Sequence, residues 1–153
     1  DHDFVVCATG TVPQAPPVDG VESPNVTTAY DLIENPPSDV AKAVVIGGNA
    51  IGCYASLFLS SRGTEVELVE KSGTVGQDLG RTNRWVVLQA MKEQNITVLV
   101  DTEVVQVANE YVVLSKTAPG PTLQPASGQG CAVCSAWVGR AADEPPRLRS
   151  SCF

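Results

Sequence analysis

The amino-acid sequence predicts an α/β fold, in which a Rossmann-like three-layer parallel sheet carries a short β-hairpin and precedes an irregular C-terminal tail. Two observations predict this fold. Short Val-rich runs alternate with segments of helical periodicity, as is typical of buried parallel strands and their crossover helices. A glycine-rich turn at residues 47–52 joins one such strand directly to a helix. The length of 153 residues suits one domain of ordinary size.

The first part of the chain is predicted to form two short strands and one short helix. We expect buried strands at 4–8 and 43–46, an extended proline-rich crossover at 13–20, and a helix at 28–34 capped by Thr28. The second strand runs directly into the glycine turn, so the turn begins at the end of a buried strand.

The second part is predicted to repeat this alternation and to end in a hairpin. We expect a helix from Ala50 to the C′ glycine Gly63, a strand at 65–70, a helix at 82–94 followed by left-handed Asn95, a strand at 96–100, and a hairpin of 103–107 with 111–114. Within the helix at 82–94, Trp85 is expected in the core, in line with Leu88 and Met91. Residues 117–153 are rich in Pro and Gly without a sustained apolar period, so we expect an irregular or disordered tail.

The turn itself has the composition of a dinucleotide site, and its residues are Gly47, Gly48, Asn49, Ala50, Ile51 and Gly52. Such a site needs a tight turn, tight helix–strand packing, and free N–H groups at the helix N-terminus for the phosphates. Gly47 fits the first need and Gly52 the second. Glu70 lies 23 positions after Gly47 at the end of the next predicted strand, where a carboxylate accepts from ribose hydroxyls.

Three positions leave alternatives open. Asn49 replaces the middle glycine of the motif, so we expect its side chain to point toward the pyrophosphate and weaken binding, although its amide could donate to a phosphate. Glu70 favours NAD(H) over NADP(H), because a 2′-phosphate would meet its carboxylate, whereas the adjacent Lys71 reduces that preference. In the alternative interpretation the glycines serve packing only, and Glu70 is a solvated charge.

Composition narrows the classes of partner. The formal net charge of −7 argues against nucleic acid and against anionic membranes. No apolar run reaches the roughly 18 residues that a membrane span needs, and the N-terminus carries no basic signal region. Five cysteines without such a signal favour reduced thiols, so we expect a cytoplasmic protein.

With these residues identified, the chain resembles the nicotinamide-binding region of the two-dinucleotide-domain flavoproteins, and more narrowly the C-terminal part of the flavin oxidoreductases related to old yellow enzyme. Four stretches carry the resemblance: Val5–Gly10, Pro13–Gly20, Val44–Glu70 and Gly76–Trp85. In the first, Thr9 and Gly10 resemble the Ala-Thr-Gly segment that closes the flavin-side domain. The second resembles the crossover from that domain, and the third the nicotinamide βαβ unit.

The resemblance implies three parts and a function. Residues 1–20 would end the flavin-side domain, residues 21–116 would form a truncated nicotinamide-dinucleotide-binding domain, and residues 117–153 would form the tail. In the family, FAD exchanges electrons with NAD(P)H in this region, so the chain is predicted to support hydride transfer as the NAD(P)H-binding fragment of an FAD-dependent oxidoreductase. FAD belongs to the full-length family only, and the missing flavin half or a partner subunit is an expected partner.

Departures from the family pattern keep other interpretations open. The family's final strand is expected to be absent after the hairpin, which suggests a truncated, frame-shifted or degenerate product. A non-catalytic Rossmann-like remnant or interaction module is therefore the main alternative, and a standalone flavin-binding protein is a third. Whether the chain is an enzyme by itself stays open.

The remaining reactive side chains predict no catalytic or metal site. Cys131 and Cys134 form a CxxC pair without a second pair for zinc, and a redox pair would be expected at a helix start. Cys53 is expected to be a small packing residue. We expect Arg84 to be solvated or salt-bridged, with contact to a cofactor phosphate as the alternative.

Overall fold

The computed structural model describes residues 4–6, 15–109, 111–117, 124–125 and 131–134. Within these residues the helices are α1 (Ala29–Glu34), α2 (Ala50–Ser61) and α3 (Arg81–Glu93). The strands are β1 (Val26–Thr27), β2 (Lys42–Ile46), β3 (Glu65–Val69), β4 (Thr97–Leu99), β5 (Thr102–Val107), β6 (Val112–Lys116), β7 (Gln124–Pro125) and β8 (Cys131–Cys134).

The strands form two sheets. One is a five-stranded parallel sheet of order β1-β8-β2-β3-β4, and the other is a three-stranded antiparallel sheet of order β5-β6-β7. The register of β2 on β3 places Ile46 opposite Val69, so the chain leaves both strands at the same edge of the sheet. The predicted Rossmann-like α/β class, with a parallel sheet and a short hairpin, is confirmed.

The prediction that the final strand is missing is wrong. β8 runs parallel between β1 and β2, with Cys131 opposite Ala43 and Cys134 opposite Ile46. β7 also forms within the segment predicted to be irregular, where it pairs with β6. The other residues of the predicted tail, from residue 118 onward, lie outside the described residues.

The two faces of the parallel sheet bury two separate clusters. Val45 and Leu68 are fully buried on the face that packs against the three helices. Val44 and Val69 alternate with them and pack on the opposite face against the hairpin β5–β6. The third layer of the fold is therefore an antiparallel sheet. The glycine turn lies at the carboxyl edge of β2 and β3, between the helical layer and this antiparallel sheet.

Local signals at the helix ends are confirmed. The Thr28 hydroxyl accepts a hydrogen bond from the Asp31 N–H at 3.0 Å, which makes Thr28 the N-cap of α1. Gly63 follows α2 with φ +88°, and Asn95 follows α3 with φ +56°. Both residues hold the left-handed conformation that the sequence predicted after the helices.

Two apolar segments are more exposed than the sequence predicted. Phe4, Val5 and Val6 were expected in a buried strand, but they form no strand and each is at least 86% exposed. The described residues supply no neighbouring strand with which they pair. Trp85 was expected in the core and is 70% exposed, because α3 turns Val87 and Met91 inward instead.

Candidate functional site

The glycine turn follows β2 and begins α2, and two of its glycines have a geometric reason. Gly47 has φ +104°, a conformation that side chains with a Cβ rarely adopt, and its N–H donates to the Val69 carbonyl at 2.8 Å. A Cβ on Gly52 would collide with the Gly47 carbonyl, because the first turn of α2 packs directly on the turn. Both positions therefore have the backbone roles that the sequence predicted for them.

Asn49 has a different role from the one expected. Its backbone is extended, with φ −74° and ψ −179°, so the position does not need a glycine. Its Oδ1 accepts a hydrogen bond from the Gly52 N–H at 2.9 Å, which makes Asn49 the N-cap of α2. The side-chain oxygen is thus turned back onto the helix rather than toward a pyrophosphate, while Nδ2 has no acceptor among the residues that the structure describes.

Glu70 lies directly after β3 and closes the turn from the opposite side. Its Oε2 accepts from the Gly48 N–H at 2.6 Å, and its Oε1 accepts from the Ser72 N–H at 2.8 Å. Partial burial raises the pKa of Glu70. The hydrogen bonds from the N–H groups of Gly48 and Ser72 together lower the pKa by more than burial raises it, so the net shift is downward. The group is therefore held as a carboxylate beside the turn.

The loop at 71–80 lies across the turn. The Gly76 N–H donates to the Gly48 carbonyl at 2.6 Å, which anchors the middle of the loop. From α3, Arg84 donates to the Val75 carbonyl at 2.9 Å and to the Thr74 hydroxyl at 2.5 Å. Arg84 is therefore a half-buried side chain that the loop holds by two hydrogen bonds, and it forms no salt bridge with the residues that the structure describes.

Asp78, in the same loop, is a site residue that the sequence analysis missed. Its Oδ1 accepts from the Ala50 N–H at 2.8 Å, at the first residue of α2. The side chain is exposed, and the two residues are 28 positions apart in the sequence. No local motif connects an exposed loop carboxylate to a helix so far away, so only the spatial structure reveals the contact.

The donors of the turn are thus only partly used. Glu70, Asp78 and Asn49 accept from the N–H groups of Gly48, Ala50 and Gly52 respectively. The N–H groups of Asn49 and Ile51 have no acceptor among the residues that the structure describes. Because a carboxylate offers about four lone-pair sites, Glu70 keeps capacity for two ribose hydroxyls. The donors at the start of α2 and the spare lone pairs of Glu70 are of the kinds that the pyrophosphate and the ribose of a dinucleotide use.

Cys53 lies beneath the turn as a packing residue, as expected. It is fully buried, and its Sγ is 3.7 Å from the Gly48 carbonyl oxygen, to which the thiol donates. Burial raises the pKa of Cys53 to about 11, and the charges of Asp78 and Glu70 contribute to the rise. The thiol is therefore protonated at neutral pH and does not supply a nucleophile.

The other predicted residues are placed as follows. Ile51 is 38% exposed on α2, and Lys71 is exposed beside Glu70. Thr9 and Gly10 lie outside the described residues. The backbone of Cys131 and Cys134 lies in β8, not at a helix start. Over the described ranges, the chain holds no group of three metal-ligating side chains and no helix long and apolar enough to cross a membrane.

Sequence comparison identifies the family. The profile of the pyridine nucleotide-disulphide oxidoreductases matches residues 1–131. The chain belongs to this family. Its homologues are FAD- and NAD(H)-dependent oxidoreductases, and the glycine turn lies within the matched residues.

Individual relatives match only with part of their length. A metal reductase of Desulforamulus reducens is 24% identical and aligns with 72% of this chain and 21% of its own. An NADH oxidase of Thermoanaerobacter brockii is 30% identical over 62% of this chain and 15% of its own. The solved structure of a 2-naphthoyl-CoA reductase superposes with a TM-score of 0.75 at 23% identity, over 85% of this chain and 19% of that one. The chain thus spans about a fifth or less of the length of these relatives.

Proposed function

We propose that this chain is the NAD(P)H-binding part of an FAD-dependent oxidoreductase and that the glycine turn with Glu70 binds the nicotinamide dinucleotide. One observation carries the proposal. The Glu70 carboxylate accepts from the Gly48 N–H at 2.6 Å, between the end of β2 and the start of α2, where two further N–H groups of the turn have no acceptor among the described residues. An acceptor that suits the ribose hydroxyls and donors that suit the pyrophosphate therefore lie within one turn of each other.

Each residue would contribute to holding and orienting the cofactor. The N–H groups of Asn49 and Ile51 would donate to the pyrophosphate, as would that of Ala50 once Asp78 leaves it, and Glu70 would accept from the ribose hydroxyls. Gly47, Gly48, Ala50 and Gly52 would let the backbone approach. When bound, the nicotinamide supplies or accepts a hydride. Among the residues that the structure describes we assign no catalytic side chain, and Cys53 beneath the turn is buried and protonated.

Three finer proposals concern the nucleotide, the kind of reductase and the compartment. A carboxylate at Glu70 disfavours a 2′-phosphate, so we propose NAD(H) over NADP(H), with Lys71 reducing the difference. We also propose that the chain is of the kind found in old-yellow-enzyme-related reductases, where Thr9 and Gly10 would close a flavin-side domain. In that arrangement the partner is a flavin-binding half, and the compartment is the cytoplasm.

Calorimetric titration of the full chain tests the proposal. We expect NADH to bind more tightly than NADPH. Glu70→Gln should lower the affinity for NADH about tenfold, because hydrogen bonds to a charged acceptor are among the stronger ones. Glu34→Gln removes the same charge from the exposed end of α1 and should leave both affinities unchanged. Titration with FAD tests the third interpretation, since FAD binding without NADH binding would favour a flavin protein.

The remnant without cofactor is the second candidate, and one observation favours it. Three side chains of the protein already accept from N–H groups of the turn, among them the charged group of Asp78. If the natural chain binds no nucleotide but Asn49→Gly binds one, the remnant interpretation is correct. If neither protein binds a nucleotide, the cofactor proposal for this chain fails.

A further inference from the structure

The N–H group of Ala50 is the donor that begins α2, and a side chain of the protein already occupies it. Asp78 Oδ1 accepts from this N–H at 2.8 Å. The first N–H groups of a helix carry partial positive charge and are the donors that phosphates use. A pyrophosphate on the turn would therefore meet a carboxylate that holds one of its donors and carries charge of the same sign.

The loop that carries Asp78 is anchored, but the carboxylate itself is not enclosed. Val75 and Gly76 are buried, and Arg84 and the Gly48 carbonyl hold them in place. Asp78, by contrast, is exposed. On the α3 side, the same loop borders an open cavity of about 640 Å³, which Thr74, Gln77, Leu79 and residues of α3 line. Because it is exposed, the Asp78 side chain can leave the Ala50 N–H without displacement of the loop base.

From this arrangement we infer that Asp78 is an internal competitor for anions at the turn and lowers the affinity of every phosphate-bearing ligand that uses the Ala50 N–H; the inference rests on the proposed function. A bound anion must displace the carboxylate, and this penalty is common to every anion that uses the Ala50 N–H. To offset it, free phosphate and pyrophosphate have only the N–H groups of Asn49 and Ile51. A dinucleotide also places ribose hydroxyls on Glu70, so it stays the tighter ligand under the same penalty.

The variant Asp78→Asn separates charge from structure. Asparagine keeps an oxygen that accepts from the Ala50 N–H, so the helix end and loop stay in place while the charge is lost. We expect roughly three- to tenfold tighter binding of both inorganic pyrophosphate and NADH, as is typical of one charge at a helix N-terminus. Adenosine, which has no phosphate, should bind equally to both proteins.

Asp39→Asn is the matched control, because it removes an equal charge from an exposed residue before β2, at the opposite edge of the sheet. It should change none of the three affinities. Affinities are measured by calorimetry for NADH and pyrophosphate and by amide chemical shifts for adenosine, and the Ala50 amide resonance reports the loss of the contact directly.

The outcomes separate the inference from the proposed function. If NADH binds the natural chain but Asp78→Asn binds NADH and pyrophosphate no more tightly, the inference is overturned and the cofactor proposal stands. If adenosine gains as much as NADH, the residue acts on the shape of the site rather than on anions, and the inference is also overturned. If NADH binds none of the three proteins, the proposed function fails, and the inference fails with it.

Discussion

At the scale of single residues, Glu70 performs two structural tasks with one carboxylate. It fixes the turn through Gly48 and the start of the following loop through Ser72. Both partners are backbone N–H groups, and the charge of the neighbouring Lys71 also favours the carboxylate. Such bonds favour the charged form, and they outweigh the opposing effect of partial burial on the pKa of this group. The charge of Glu70 is therefore coupled to the folded turn.

This coupling predicts a pH-dependent contribution to stability. Because folding lowers the pKa of Glu70, its stabilisation is complete above the ordinary value near 4.5 and is lost as the pH falls through the lower folded value. At pH 7, Glu70→Gln should reduce the free energy of unfolding by about 0.5–1 kcal/mol after allowance for solvent screening. Urea unfolding at pH 7 and at pH 3 measures the difference, which should shrink at the lower pH; an equal difference at both values would contradict the prediction.

The residues that the sequence could predict are those whose roles are local. Gly47 and Gly52 belong to one continuous turn, and Glu70 ends the adjacent strand, so their spacing carries the information. Asp78 could not be predicted, because its contact with Ala50 depends on how a loop folds back over the turn. Asn49 was identified, but motif matching alone could not distinguish a helix cap from a residue that replaces a required glycine.

At the scale of elements, the start of α2 depends on its cap. Asn49 satisfies the Gly52 N–H, one of the N–H groups that lack a partner within the helix. Asn49→Ala should lower the free energy of unfolding by about 1 kcal/mol, since alanine has no acceptor. Asn49→Asp keeps the acceptor and adds a charge that suits a helix N-terminus, so it should be at least as stable as the natural chain. Urea unfolding checks both variants, and an alanine variant as stable as the natural protein would argue against the cap.

Helix boundaries were predicted more accurately than helix orientation. The predicted start of α2 and the residues that follow α2 and α3 agree with the structure, because caps and left-handed residues act locally. The buried face of α3 was predicted wrongly, because Trp85 was assigned to the core and is exposed. A spacing of three through Leu88 and Met91 competed with the spacing of four from Val87 to Met91. Packing against α2 decides between them, and the helix's own sequence does not contain that information.

At the scale of the whole molecule, the parallel sheet depends on a strand from near the end of the chain. β8 lies between β1 and β2, and it pairs with residues of β2 that are 88 positions earlier. A four-residue apolar run between glycines and polar residues is compatible with a buried strand, but nothing nearby states its partner. The sequence analysis therefore assigned this segment to an irregular tail. Only the long-range pairing shows that the tail supplies the strand between β1 and β2.

The position of β8 predicts that truncation from the C-terminus destabilises the fold sharply once β8 is removed. A chain ending at residue 120 lacks β7 and β8, so β1 loses its parallel neighbour and β2 becomes an edge strand with unpaired backbone groups. We expect it to lose cooperative thermal unfolding and to aggregate. A chain ending at residue 140 keeps every strand that the structure describes and should unfold cooperatively, near the temperature of the full chain. Circular dichroism melting and size-exclusion chromatography compare the two. If the shorter chain melts as cooperatively and as late as the longer one, β8 contributes little to stability and the assigned sheet order is wrong in solution.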